Sequence, residues 1–245
     1  MAGLFSRKKK TSLLDDGALP LRVDSPSGEV ILDLSPALVS IYRRWYTYLS
    51  REQPLPRRLG LVSAIRGEGL TTISMALAAV MATDLECRIA LVECNWWWPG
   101  LAAAAHMDPA PGFAEWVGEK SAIEASLRSC SLPNLTFIPA GELSEGDRSR
   151  LARGNGMVEA LKQLDERFDL IILDIPAILA VKEAPVLARL ASELCLVIRQ
   201  GITPISEVKK ALDEIEHLPL RGVILNGMHT HIAKGSTFLN LGERA

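Results

Sequence analysis

Two kinds of pattern alternate along the chain. Five short runs are almost wholly apolar and rich in β-branched residues: LGLVSAI (59–65), RIALVEC (88–94), FDLIILDI (168–175), ELCLVIR (193–199) and GVILNGM (222–228). LTFIPAG (135–141) reads as a sixth strand. Between most of them lie helical patterns: TTISMALAAVMATDL (71–85), GMVEALKQLDERF (156–168), KEAPVLARLA (182–191) and SEVKKALDEIEHL (206–218). In the last, Val208, Ala211, Leu212, Ile215 and Leu218 form one apolar stripe. Near-continuous apolar strands alternating with amphipathic helices predict a doubly wound α/β domain, its mostly parallel sheet covered on both faces. Ligands in such sheets bind beyond the carboxyl ends of the strands.

Ahead of these lies a helix with Pro36 at its start, PALVSIYRRWYTYLSRE, and then the proline-bearing linker REQPLPRR. Residues 1–35 mix RKKK, DD, Pro and Gly with little periodicity and read as a flexible N-terminal tail. The expected division is that tail, a domain over 36–230 and a C-terminal tail over 231–245. The basic cluster Arg7–Lys10 gives at most weak attraction to an anionic membrane surface.

Composition narrows the partners. The 27 Lys and Arg nearly balance 29 Asp and Glu, a net charge of -2, so nothing draws the chain toward nucleic acid. The four cysteines lack CxxC spacing, which fits a reducing cytoplasmic setting. No run approaches the roughly 18 apolar residues of a bilayer span, and the start lacks a signal peptide's apolar region. His229 and His231 form an HxH pair without further ligands near in sequence.

The candidate chemistry lies in RGEGLTTIS, between the first apolar run and its helix. A phosphate-binding loop has the form GxxxxGK[ST], with glycines admitting the phosphates to backbone N–H groups at a helix N-terminus. Gly67 and Gly69 supply that permissive backbone, flanked by Arg66 and Glu68, and Thr71 and Thr72 supply hydroxyls; the lysine position holds Leu70. FDLIILDIPAI ends in Asp174, the Walker B form, whose carboxylate holds Mg²⁺ directly or through water.

With these motifs in place the chain resembles the bacterial tyrosine autokinases of capsule and exopolysaccharide synthesis, P-loop ATPases of the deviant Walker A type related to the MinD and ParA group. The resemblance covers about residues 36 to 228. IYRRWYTYL is similar to the family's EAYRxLRTNL helix, SAIRGEGLTT to its TSxxPGEGKST loop, and ECNWWWPGL to its DADLRRPxL segment, the Walker A′ strand end. FDLIILDIPAI resembles YDxVIIDTPP, and ELCLVIRQGIT and LRGVILNGM match later strands, including the Asn226 position that borders the base. The resemblance implies ATP and Mg²⁺ at Gly67, Glu68, Gly69, Thr71, Thr72 and Asn226, the metal on Thr71 and Asp174, and Asp174 and Glu93 in catalytic roles; Arg66, by its place in the loop rather than by the resemblance, is the cation expected to swing toward the phosphates. It implies as partners a membrane adaptor of polysaccharide chain length, an intact kinase paralogue or further copies of the chain, at the inner face of the cell membrane.

The departures touch charge. Leu70 replaces the lysine, Glu93 and Asn95 replace the two Walker A′ aspartates, and Trp97 and Trp98 stand where the family has Arg-Arg. The family's ExxRxxR assembly motif becomes Ser40, Arg43 and Tyr46, and its C-terminal tyrosine cluster is absent: the three tyrosines are Tyr42, Tyr46 and Tyr48. Leucine offers a γ-phosphate neither charge nor hydrogen bond, and a longer carboxylate fits octahedral Mg²⁺ poorly. Losing one charge stabiliser of this kind costs roughly 10²–10³ in rate. The expectation is weakened ATP and Mg²⁺ binding and a regulatory or interaction role; the alternative is a working tyrosine kinase or ATPase of the same pathway. As an extended segment, Trp96–Trp98 would alternate sides, Trp96 and Trp98 together and Trp97 opposite. They either fold back over the sheet's end or form an apolar patch that contacts a partner.

Overall fold

The computed structural model describes residues 17–227. Its strands are β1 (Leu21–Asp24), β2 (Val30–Leu34), β3 (Arg58–Ser63), β4 (Ile89–Glu93), β5 (Arg128–Ser129), β6 (Leu135–Ile138), β7 (Leu170–Asp174), β8 (Glu193–Arg199) and β9 (Leu220–Asn226). Its helices are α1 (Pro36–Leu49), α2 (Leu70–Asp84), α3 (Leu101–Ala104), α4 (Phe113–Val117), α5 (Ile123–Ser126), α6 (Glu145–Arg153), α7 (Gly156–Arg167), α8 (Ala184–Ala188) and α9 (Ile205–Glu214).

Seven strands form one sheet in the order β5-β6-β4-β7-β3-β8-β9, parallel except where β5 runs against β6. Alternate residues of the central strands enter two different cores, which is why the runs are apolar throughout. On β7, Leu170 and Ile172 join α1 and α2 on one face, while Ile171 and Leu173 join α7, α8 and α9 on the other. The expected doubly wound sheet is therefore present. Helix α2, at the sheet's centre, is buried at every position from Ile73 to Ala82. Its small residues allow this close packing, and Ser74 returns its hydroxyl to the Leu70 carbonyl at 3.0 Å.

The expected flexible tail through residue 35 is not what forms over 21–34. There β1 and β2 make an antiparallel hairpin that pairs Leu21 with Leu34 and Val23 with Leu32. Val23, Leu32 and Leu34 are buried in the same core as α1 and α2, so burial of one face orders a segment whose mixed charge hid its alternation. Residues 1–16 and 228–245, with the basic cluster, the C-terminal tail, His229 and His231, lie outside the described residues.

Helix α1 is fixed to α2 by polar contacts as well as by its core face. The Arg43 guanidinium donates two hydrogen bonds to Asp84, from Nε and Nη2, each 2.7 Å. Tyr46 Oη donates to the same carboxylate at 2.7 Å. Burial first, and then Asp84's hydrogen bond and charge, raise the Tyr46 phenol to about 12. Two of the three positions aligned with the assembly motif thus face the chain's own α2. No helix among the described residues is long and apolar enough to cross a membrane.

Candidate functional site

The loop from Ala64 to Gly69 joins β3 to α2 at the carboxyl end of the sheet. Gly67 and Gly69 have φ of 82° and 83°, a left-handed backbone that favours glycine. A Cβ on Gly69 would lie 2.5 Å from Asn226 Nδ2, whereas nothing stands within 4 Å of one on Gly67, so the cradle is open there.

Polar contacts brace the loop from beneath. Glu68 is buried; its Oε2 accepts from Ile65 N at 2.8 Å and its Oε1 from Arg199 N at 3.1 Å and from the Thr203 hydroxyl. Asn226 Nδ2 donates to the Glu68 carbonyl at 2.7 Å, and its Oδ1 accepts from Gly227 N at 2.8 Å. Glu68 lines the cleft above the loop, its carboxylate turned to these donors, and Asn226 clamps the loop from the end of β9.

A cleft of about 250 Å³ lies above the loop, lined by Arg66, Gly67, Gly69, Leu70, Thr71, Thr72, Asn95, Trp98 and Asp174 among others. Larger concavities lie elsewhere, but none gathers this chemistry. Leu70, the first residue of α2, is half-buried and packs its side chain against the α1–α2 core. Asp174 ends β7 with 1% of its surface exposed. Thr71 donates a hydrogen bond to it, but its Oδ2 has no partner. Burial, and then the charge of Glu93, raise the Asp174 carboxyl to about 8, against the Thr71 bond.

This shift has a measurable sign. The folded chain holds the proton more tightly than the unfolded one, so Asp174's stabilising contribution is complete below pH 3.8 and is lost as the pH rises through about 8. In EDTA, Asp174→Asn should therefore be more stable than wild type at pH 8, the difference shrinking to nothing near pH 4. Urea denaturation at the two pH values checks this; a difference that does not change with pH refutes it.

Glu93 pairs in register with Asp174 on the neighbouring strand but does not line the cleft. Its Oε1 accepts from Gly100 N at 2.5 Å and Leu101 N at 2.9 Å, and its Oε2 from Ala140 N at 3.1 Å. Burial raises its carboxyl despite these three donors. The carboxylate of Glu93 is thus engaged by backbone amides at the start of α3 and in the segment that follows β6.

The tryptophans do not alternate, because residues 95–98 form a turn. Asn95 closes it, Oδ1 accepting from Trp98 N at 3.2 Å and Nδ2 donating to the Trp98 carbonyl at 3.0 Å. Trp96 is 2% exposed, stacks on Phe113 with centroids 6.2 Å apart, and donates its indole N–H to the Ala140 carbonyl at 2.9 Å. It cannot contact a partner. Trp97 is half-buried against the core, and Trp98 is 39% exposed beneath the Arg66 guanidinium, Cζ 3.7 Å from the ring centroid.

The residues present fit a magnesium–nucleotide complex in its main parts. Gly67 leaves backbone room for phosphate, and Thr71 with the unpartnered Asp174 oxygen forms the hard-oxygen pair that Mg²⁺ takes. A bound Mg²⁺ would supply charge neutralisation between the phosphates. The sheet order, the left-handed glycine loop and the strand-end aspartate define the P-loop NTPase fold of the deviant Walker A type.

The comparisons narrow this class: the chain is similar in sequence to proteins named as bacterial tyrosine kinases. No family model matches it. It is 29% identical over 164 residues to EpsB of Ralstonia solanacearum, which carries a tyrosine-kinase name, covering 66% of this chain and 22% of that protein. It is 27% identical over 169 residues to tyrosine-protein kinase YwqD of Bacillus subtilis, covering 68% and 70%. The succinoglycan biosynthesis transport protein ExoP of Rhizobium meliloti is 26% identical over 174 residues, covering 69% and 22%. The chain thus spans about a fifth of the length of the first of these relatives. Among solved structures, the BceF tyrosine kinase domain is 26% identical, with a TM-score of 0.67 over 80% of this chain and 78% of that one. The kinase domain of Escherichia coli ETK has a TM-score of 0.72 at 21% identity, covering 84% and 80%. The cell division ATPase MinD of Pyrococcus furiosus shares the fold at a TM-score of 0.58 and 21% identity, covering 70% and 72%.

Proposed function

We propose that this chain is a catalytically impaired, tyrosine-kinase-like P-loop protein that acts as a regulatory or interaction subunit in exopolysaccharide or capsule biosynthesis. The observation that carries this is one charge lost and one carboxylate engaged elsewhere around an otherwise retained cradle. Leu70, half-buried at the edge of the core and lining the cleft, offers no charge where a lysine would meet the phosphates, and Glu93 is held by three backbone amides. Phosphoryl transfer depends on positioned charge, so such a site holds Mg-ATP weakly and turns it over poorly. The names of relatives such as ExoP support the pathway, and the partner is then a membrane adaptor of chain length or an intact kinase of the same class. Trp97 and Trp98 are the aromatics left for a partner at the inner face of the membrane.

The test is ATP consumption and phosphotyrosine formation with Mg²⁺, against Asp174→Ala. Turnover no greater than this control is expected; turnover well above it, with label on the exposed Tyr48, would establish a working kinase instead. Leu70→Lys should tighten binding of a fluorescent ATP analogue by roughly tenfold to a hundredfold, the worth of one charge-assisted hydrogen bond.

A further inference from the structure

Arg66 is the cation within the loop sequence SAIRGEGLTT, and its guanidinium lies flat on Trp98 in the same cleft as Thr71 and Asp174. The platform is a built feature: Asn95 bonds both the N–H and the carbonyl of Trp98, so the ring is presented by a closed turn. Among the described residues no ion pair joins Arg66 to Asp174, whose Oδ2 stays without a partner although both side chains line one cleft. At rest the cation lies on the aromatic face.

We propose that Arg66 is the phosphate-binding cation of this loop, in place of the missing lysine, and that Trp98 is the platform on which it waits when no phosphate is bound. This inference rests on the nucleotide-binding part of the functional reading. The ligand class is a nucleoside triphosphate, recognised at its phosphates. An exposed cation–π contact is weak, whereas a guanidinium binds phosphate through two parallel charge-assisted hydrogen bonds. Phosphate therefore wins the competition and Arg66 leaves the ring. Leaving Trp98 costs part of the binding, so the aromatic side chain lowers affinity while keeping the cation beside the cradle.

The experiment is a double-mutant cycle on the full chain, read by binding of Mg-ATP and, separately, of Mg-tripolyphosphate, which lacks the base. Both side chains are exposed enough that the variants fold. Arg66→Ala should weaken binding of either ligand roughly tenfold or more. Trp98→Ala should tighten it about two- to fivefold, the equivalent of the released cation–π contact, and should have no effect in the Arg66→Ala background. Either ligand should also shift the wild-type tryptophan emission, and Trp98→Phe should abolish that shift. Unchanged binding by Arg66→Ala, or a Trp98→Ala effect that persists without Arg66, overturns the proposal and leaves the impaired-enzyme reading intact. So does binding of both ligands by Leu70→Lys but of neither by wild type. Catalytic impairment is measured separately, by ATP turnover, so the two readings can fail independently.

Discussion

Glu93→Ala is expected to lower the free energy of unfolding by about 3–5 kcal/mol, the range for a buried network that loses its charged centre. The carboxylate is fully buried and both oxygens accept, so alanine leaves the Gly100, Leu101 and Ala140 amides without acceptors at once. Glu93→Gln should cost less, since an amide oxygen can keep Gly100 and Leu101 while its NH₂ opposes the Ala140 donor. Glu93→Asp is the sharper variant. It restores the aspartate of the kinase pattern but is one methylene too short for these amides, so it should destabilise without gaining Mg²⁺ binding. Urea unfolding decides the first point and metal titration the second; an alanine variant within about 1 kcal/mol of wild type would show that these bonds are not structural.

Trp96→Ala should cost about 3–5 kcal/mol, the usual range for emptying a buried indole's space. The ring is stacked on Phe113, which itself tilts against Trp116 at 5.7 Å, and Trp97 packs on its other side at 6.2 Å, so the loss leaves a void inside a four-ring cluster and takes one of two donors from the Ala140 carbonyl, which keeps Ala114 N at 2.9 Å. Trp96→Phe retains stacking but not the hydrogen bond and should fall between. Trp98→Ala should stay within about 1 kcal/mol of wild type, as loss of an exposed cation–π contact does. Thermal unfolding of the three variants ranks them; equal losses for Trp96→Ala and Trp98→Ala would contradict the division of labour among adjacent indoles.

What could be read in advance followed from local chemistry. The apolar runs marked the strands, Gly67 and Gly69 marked the cradle, and DIP after a buried strand marked Asp174, because each feature is dictated by neighbours in sequence. What holds Glu93 was not legible, since its donors stand at Gly100, Leu101 and Ala140, and only the fold brings Ala140 near. The brace between Asn226 and Glu68 has the same origin. The tryptophan turn did carry a local signal, Asn95 ahead of Pro99, which favours a side-chain-closed turn over an extended segment. Helices α3, α4 and α5 span four or five residues each, too few for a 3.6-residue repeat to declare itself.

The loop's brace also orders events during synthesis. Asn226 touches Glu68 across 158 positions, so a chain emerging from the ribosome completes β3, α2 and most of the sheet before that clamp exists. Until β9 docks, the glycine loop has the Glu68 brace but not the Asn226 clamp, and its full readiness for an anion reports that the sheet through β9 has been translated and assembled.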